Sequence, residues 1–227
     1  MTTLRTKIKA LLLMLLILLL LAIGCQAEDP LVEGFYTTTI NNSGTITTDR
    51  ILYSRTYFDD LRTPASAIRL VGVKPPKETE YKGGAVLEFE NVAAPNEQQV
   101  FFIVQLPHSW KEGTALSAHV HWAPKTDTGG IDQTVIWQLT HSWANIDAVL
   151  PAPTTITATE TINDRIDEHI MTSFPLLDAT GKLLSSMLIC SLTRLSGTDT
   201  YTDSAYFLEV DFHYEVDSPG SETLAVK

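Results

Sequence analysis

His119 and His121 stand two residues apart in a run, Ser117 to Trp122, that alternates polar and apolar side chains. A strand has a side-chain period of two, so the two imidazoles share one face, about 7 Å apart along it. Imidazoles placed this way can share a metal ion if a third ligand arrives from a neighbouring strand. His213, which alternation puts on the same face as Asp211, is the natural donor. His119, His121 and His213 are therefore candidate ligands for a divalent metal. The competing reading makes them surface or interface histidines engaged in hydrogen bonds.

Trp110, Trp122, Trp137 and Trp143 fall within 34 residues of one another. Indoles on a β-sandwich either stack on a sugar-like ligand, for which Trp110 and Trp122 are the candidates, or fill the core between two sheets. His141 lies among Trp137, Leu139 and Trp143 and is read as a core histidine bonded to a backbone carbonyl. His108 follows Pro107 near a turn, and His169, after Asp167 and Glu168, sits on a solvated edge. Cys190, in the apolar run from Met187, is read as a small buried hydrophobe. There is no glycine-rich phosphate loop, nucleophile elbow, Ser-His-Asp order or zinc-type cysteine spacing, and no catalytic residue is assigned. Apart from the possible metal, no cofactor is expected.

The elements that must position these side chains are short and β-like. Strands are expected at 67–73, 85–91, 99–106, 114–123, 134–143, 153–160, 168–174, 183–194 and 205–216, with 162–169 open to a short helix. Pro75-Pro76, Gly83-Gly84, Ala94-Pro95-Asn96, Gly129-Gly130 and Ser196-Gly197 punctuate them. Leu116, Ala118, Val120 and Trp122 line one side of their strand. Leu208, Val210, Phe212, Tyr214 and Val216 line one side of the last. Many short strands with frequent turns predict an all-β, antiparallel, jelly-roll-like sandwich over residues 49–227. The polar stretch 28–48 reads as a flexible linker or arm.

The amino terminus is of another kind. Arg5, Lys7 and Lys9 precede an apolar run from Ala10 to Ile23, followed by Gly24, Cys25, Gln26 and Ala27. This is the pattern of a secretory signal over 1–27, too short for the roughly 20 apolar residues of a spanning helix. Ala22-Ile23-Gly24-Cys25 resembles the bacterial lipobox, which would make Cys25 the site of lipid attachment and the membrane anchor. A cut after Ala27, a retained anchor, or a true start near Asp49 are the alternatives. Three of the sixteen basic residues lie in this segment, so the remainder carries 13 basic against 27 acidic residues, a net of −14. That balance argues against nucleic acid as a partner, which requires a basic footprint.

Two resemblances bear on function. Gly113 followed after five residues by His119-x-His121 resembles the opening of the first cupin motif. That would imply a jelly roll with a metal-dependent activity. The Glu and the second motif of that family have no counterpart here. More of the chain, from about Tyr57 to the end, resembles uncharacterised tailed-phage and prophage proteins. The segments are Leu106 to Thr114, His119 to Trp122, Trp137 through Asn145, Asp211 to Glu215, Gly220-Ser221 and the final Lys227. That resemblance implies a β-sandwich virion component: a head decoration, neck or fibre-associated protein.

The leading expectation is a non-enzymatic phage or prophage structural protein that acts by protein–protein association, as a homo-oligomer, with other virion proteins. The second is a bacterial envelope lipoprotein whose β-sandwich binds a ligand or glycan. The third is a cupin-like metalloenzyme. The corresponding locations are the virion or the bacterial envelope.

Overall fold

The computed structural model describes residues 55–72, 74–221 and 223, with the backbone of 38–40 and 46–48. Four strands precede the sandwich proper: β1 (Thr38–Ile40), β2 (Ile46–Thr48), β3 (Tyr57–Pro64) and β4 (Lys77–Tyr81). Then come β5 (Gly84–Phe89), β6 (Gln99–Gln105), β7 (Ser117–Pro124) and β8 (Gln133–Ala144). β9 (Thr154–Ile162), β10 (Ile170–Ser173), β11 (Met187–Arg194) and β12 (Ala205–Val216) complete the chain. The described residues contain one 3-10 turn, Ala65–Ala67, and no α-helix.

The last eight strands pair antiparallel from the outside in: β5 with β12, β6 with β11, β7 with β10, and β8 with β9. That is a long hairpin ribbon rolled over itself, which is the jelly roll. Rolling splits the strands into two sheets, β10-β7-β12-β5-β4 with β3 on the free half of β12, and β6-β11-β8-β9. The fold is thus the expected all-β antiparallel sandwich. Strand β4 joins β5 through Lys82-Gly83, both at positive φ (51° and 85°). A two-residue hairpin turn demands that backbone, and glycine adopts it at no steric cost.

Alternation fills the space between the sheets. Leu116, Ala118, Val120 and Trp122 are fully buried, as expected, and meet Val135, Trp137 and Leu139 from the other sheet in one core cluster. Trp137 packs edge-on to Phe89 and Trp122, at centroid distances of 5.2 and 6.0 Å.

One ion pair lies inside. Arg194, at the inner end of β11, is fully buried and donates to Asp199 Oδ2 at 2.8 Å. It also donates to the carbonyls of Phe89, Tyr201 and Asp203. Phe89 belongs to the opposite sheet, so this guanidinium ties the sheets together and closes the loop 195–204 over their end. A buried ion survives only with such full hydrogen bonding.

Several expectations are corrected. Among the described residues of 67–73 no strand forms, and only Arg69 bridges Phe101 on the edge of β6. Pro75-Pro76 follows directly and lacks the N–H groups a longer ladder needs. Strands β3 and β4, missed in the sequence, are mostly exposed and rich in charged and polar residues, so their apolar alternation is weak. The linker 28–48 is not wholly irregular, since β1 and β2 pair within it. The segment 162–169 is a turn rather than a helix, with Asp164 and Asp167 at positive φ. Leu208 does not share the core side of β12: Phe207 is buried and Leu208 only half so, because the β7–β12 register shifts between Phe207 and Glu209.

Replacing Arg194 alone with Met leaves Asp199 and three carbonyls without their donor. Urea denaturation should show a loss of about 3–5 kcal/mol, and the double change Arg194→Met with Asp199→Leu should recover part of it.

Candidate functional site

The outer face of the six-stranded sheet gathers most of the histidines. Across the sheet, Ser173 of β10, His119 of β7, Asp211 of β12 and Arg62 of β3 form one row. Met171, His121, Glu209 and Pro64 form the next, and Ser117, His213 and Asp60 flank the first on its other side. Directly paired residues point to the same side of a sheet, so the register alone brings these groups together.

Asp211 is the centre. His119 Nδ1 lies 3.5 Å and His121 Nε2 3.3 Å from its Oδ1, and His213 Nε2 lies 3.4 Å from its Oδ2. His119 and His213 face each other with ring centroids 4.3 Å apart. The side chains of His119 and Asp211 are only 6% and 5% exposed. His119 Nδ1, His121 Nε2 and Asp211 Oδ1 are buried without a hydrogen bond of acceptable alignment, although they lie close together. The remaining nitrogens are engaged. His119 Nε2 meets Ser117 Oγ at 3.2 Å, and His121 Nδ1 meets Nε2 of His169 at 2.8 Å. Asp60 Oδ1 sits 3.0 Å from His213 Nε2. Alongside, Arg62 forms a two-pronged pair with Glu209.

Charge is organised accordingly. Burial pushes the Asp211 carboxyl up, but contact with His119 and His121 outweighs it and holds the group well below the usual carboxylate range. Contact with Asp211 raises the His121 imidazole above its ordinary value, against the opposing effect of burial.

The expected metal ligands are therefore partly regrouped. His119 and His213 come together with Asp211, with one donor atom from each within 4.8 Å of the others. His121 lies on the far side of Asp211, turned toward His169. Nothing in a single chain shows that β10 borders β7, so His169 was read as a solvated edge. Asp60 went unread because the apolar alternation of β3 is weak.

Trp110 and Trp122 are not a stacking platform. Both are fully buried, so no ligand can reach either ring face. Trp122 donates to Thr172 Oγ1 within the core, and Trp110 packs against Trp143 at 6.0 Å. His141 is half-buried, with its pKa lowered by burial and by nearby Lys182, and its Nδ1 has no carbonyl partner. His108 bridges Ser185 and Ser221. Cys25 lies outside the described residues.

The outer face of the four-stranded sheet is the opposite in character. The outward positions of β6, β11, β8 and β9 carry Thr, Ser, Gln, Ile, Met, Phe and Ala, and no Asp, Glu, Lys or Arg. Ile103 and Ile189 sit directly across from each other, 60% and 44% exposed, beside Met187 at 38%.

No protein-family model matches the chain, and no curated protein does. Solved structures give distant matches. A family 61 carbohydrate-binding module in complex with β-1,4-galactotriose matches at TM-score 0.30 and 8% identity, over 70% of this chain and 88% of that one. A module specific for non-crystalline cellulose matches at 0.29 and 14%, over 68% and 88%. The CBM22-GH10 modules of xylanase 10B from Clostridium thermocellum match at 0.29 and 13%, over 57% of this chain and 24% of that one. An arabinose-bound α-L-arabinofuranosidase matches at 0.30 and 12%, over 68% and 23%. The chain thus spans about a quarter of the two glycoside hydrolase chains.

The Cys190 thiol is pushed up to about 12 by burial, which keeps it protonated. In a Cys25→Ser variant it should not react with Ellman's reagent over hours in the native state, and it should react at once and stoichiometrically in denaturant. Rapid native labelling would contradict its placement in the core.

Proposed function

We propose that this chain is a non-enzymatic structural protein of phage or prophage origin that works by association, and that copies of it meet through the outer face of the four-stranded sheet. The supporting observation is the charge distribution. Residues 28–227 carry a net −14, yet the outward positions of four adjacent strands carry no charge at all. Two copies of so acidic a protein repel each other over most of their surface. The uncharged face is where a second copy can approach without bringing carboxylates together. Contiguous exposed apolar groups at Ile103, Ile189 and Met187 add a driving force for burial there. Repeated copies are also what the resemblance to virion proteins leads one to expect. On this reading no residue performs catalysis, and the work is done by shape and by the sheet face.

The test is the oligomeric state of the untagged protein by sedimentation, beside the variant Ile103→Glu/Ile189→Glu. The wild type should be a dimer or larger. The variant should be monomeric with unchanged circular dichroism, since two unpaired charges buried on each copy weaken association on the order of 100-fold or more. A wild type that is monomeric and absent from purified particles, or a variant that associates as before, contradicts the reading. A wild type that is monomeric alone but found by mass spectrometry in purified particles would make another virion protein the occupant of the face.

A further inference from the structure

We propose that His119, Asp211 and His213 form a binding site for one divalent late first-row transition-metal ion, of which zinc is the representative. The site is built on the opposite face from the association surface and stands independently of it.

The donor chemistry comes first. Two imidazole nitrogens and a carboxylate oxygen suit zinc and its neighbours, whereas calcium and magnesium take mostly oxygen ligands in larger numbers. The donors lie within reach of one ion. Donors around a tetrahedral ion at bond lengths of about 2.0–2.1 Å stand about 3.3–3.4 Å apart. Here His119 Nδ1 stands 3.5 Å from Asp211 Oδ1 and His213 Nε2 stands 3.4 Å from Oδ2, so the carboxylate presents one oxygen to each imidazole. One donor atom from each of the three residues lies within 4.8 Å of the others.

The polar atoms themselves also call for an ion. His119 Nδ1 and Asp211 Oδ1 are buried and close, but no aligned hydrogen bond joins them. Buried polar atoms are ordinarily paired, and such exceptions need a cause. A cation between them satisfies both, because a metal takes the in-plane lone pair of the imidazole and a lone pair of the carboxylate.

The surroundings are those of an orienting shell. Metal-bound histidines usually engage their second ring nitrogen with a polar group, and Ser117 Oγ meets His119 Nε2 in this way. His121 steadies the Asp211 carboxylate from the side away from His213 and is itself held by His169. Asp60 Oδ1 lies 3.0 Å from the same His213 Nε2 and is 44% exposed, which makes it the nearest candidate for a fourth ligand. The His213 side chain is 34% exposed, which leaves a path for the ion to enter. The donors stand on two adjacent central strands whose register holds them in place, and no loop closure is needed.

The experiment uses the untagged full chain. Elemental analysis of the purified protein, and zinc titration after chelator stripping, should each give about one ion per chain. Cobalt substitution should give the visible absorption of a tetrahedral site. His213→Gln, at a partly exposed position where folding is safe, should lower zinc affinity at least 10-fold and abolish the rise in melting temperature that zinc causes in the wild type. Asp211→Asn should do the same if it folds. His108→Gln, removing a histidine elsewhere, should leave zinc binding unchanged. The proposal is overturned if stripped wild-type protein gives no cobalt band and no thermal response to zinc, or if His213→Gln binds zinc as tightly as the wild type.

Discussion

Strand β12 pairs with β7 around a single extra residue, Leu208. Phe207 stands opposite Trp122, but Glu209 rather than Leu208 stands opposite His121. A bulge of this kind shifts every later side chain by one position relative to the partner. Before it, Ala205 and Phe207 point into the core; after it, Val210, Phe212 and Tyr214 do. Because side-chain direction alternates strictly, an unbulged ladder that kept Phe207 opposite Trp122 would turn Asp211 and His213 into the apolar interior and Phe212 out to water. The acidic centre of the polar face, its opposition to His119 and its distance from the core all depend on that residue. Arg194 acts on the larger scale, joining β11 to Phe89 of the opposite sheet so that the two faces are held as the outside of one sandwich.

The two outer faces divide the molecule's chemistry. One gathers His119, His121, His169, His213, Asp60 and Asp211 around a buried carboxylate. The other is uncharged and partly apolar. Both follow from the jelly-roll order, which sets β7 and β12 side by side at the centre of one sheet and β11 and β8 at the centre of the other. An ion between β7 and β12 would brace the sheet that faces away from the proposed association surface. It would thereby stiffen a fold whose acidic surface otherwise favours loosening through self-repulsion.

Much of this was legible from the residues. The all-β class, the strands from 85 onward and the inward set Leu116, Ala118, Val120 and Trp122 follow from period-two alternation. So does the sharing of a face by His119 and His121, and by Asp211 and His213. Alternation is a local signal, which is why it failed where tertiary pairing decides. Strands β3 and β4 are mostly exposed and turn inward polar or mixed residues such as Thr63 and Thr79, so their sequences carry little apolar periodicity to detect. Leu208 fits the pattern as well as Phe207 does, and only the partner strand shows which one enters the core. That His119 meets both Asp211 and His213 while His121 turns toward His169 depends on a register no single strand encodes. The indoles of Trp110 and Trp122 have the same composition whether they line a surface or a core, and the second sheet chose the core.

Anomalous X-ray scattering from crystals grown with zinc, recorded on both sides of the zinc absorption edge, tests the central claim most directly. The account predicts one strong peak per chain, bonded to His119 Nδ1, His213 Nε2 and a carboxylate oxygen of Asp211 at about 2.0–2.1 Å. A map without a peak there, with the three side chains instead joined by ordinary hydrogen bonds or water, would contradict it.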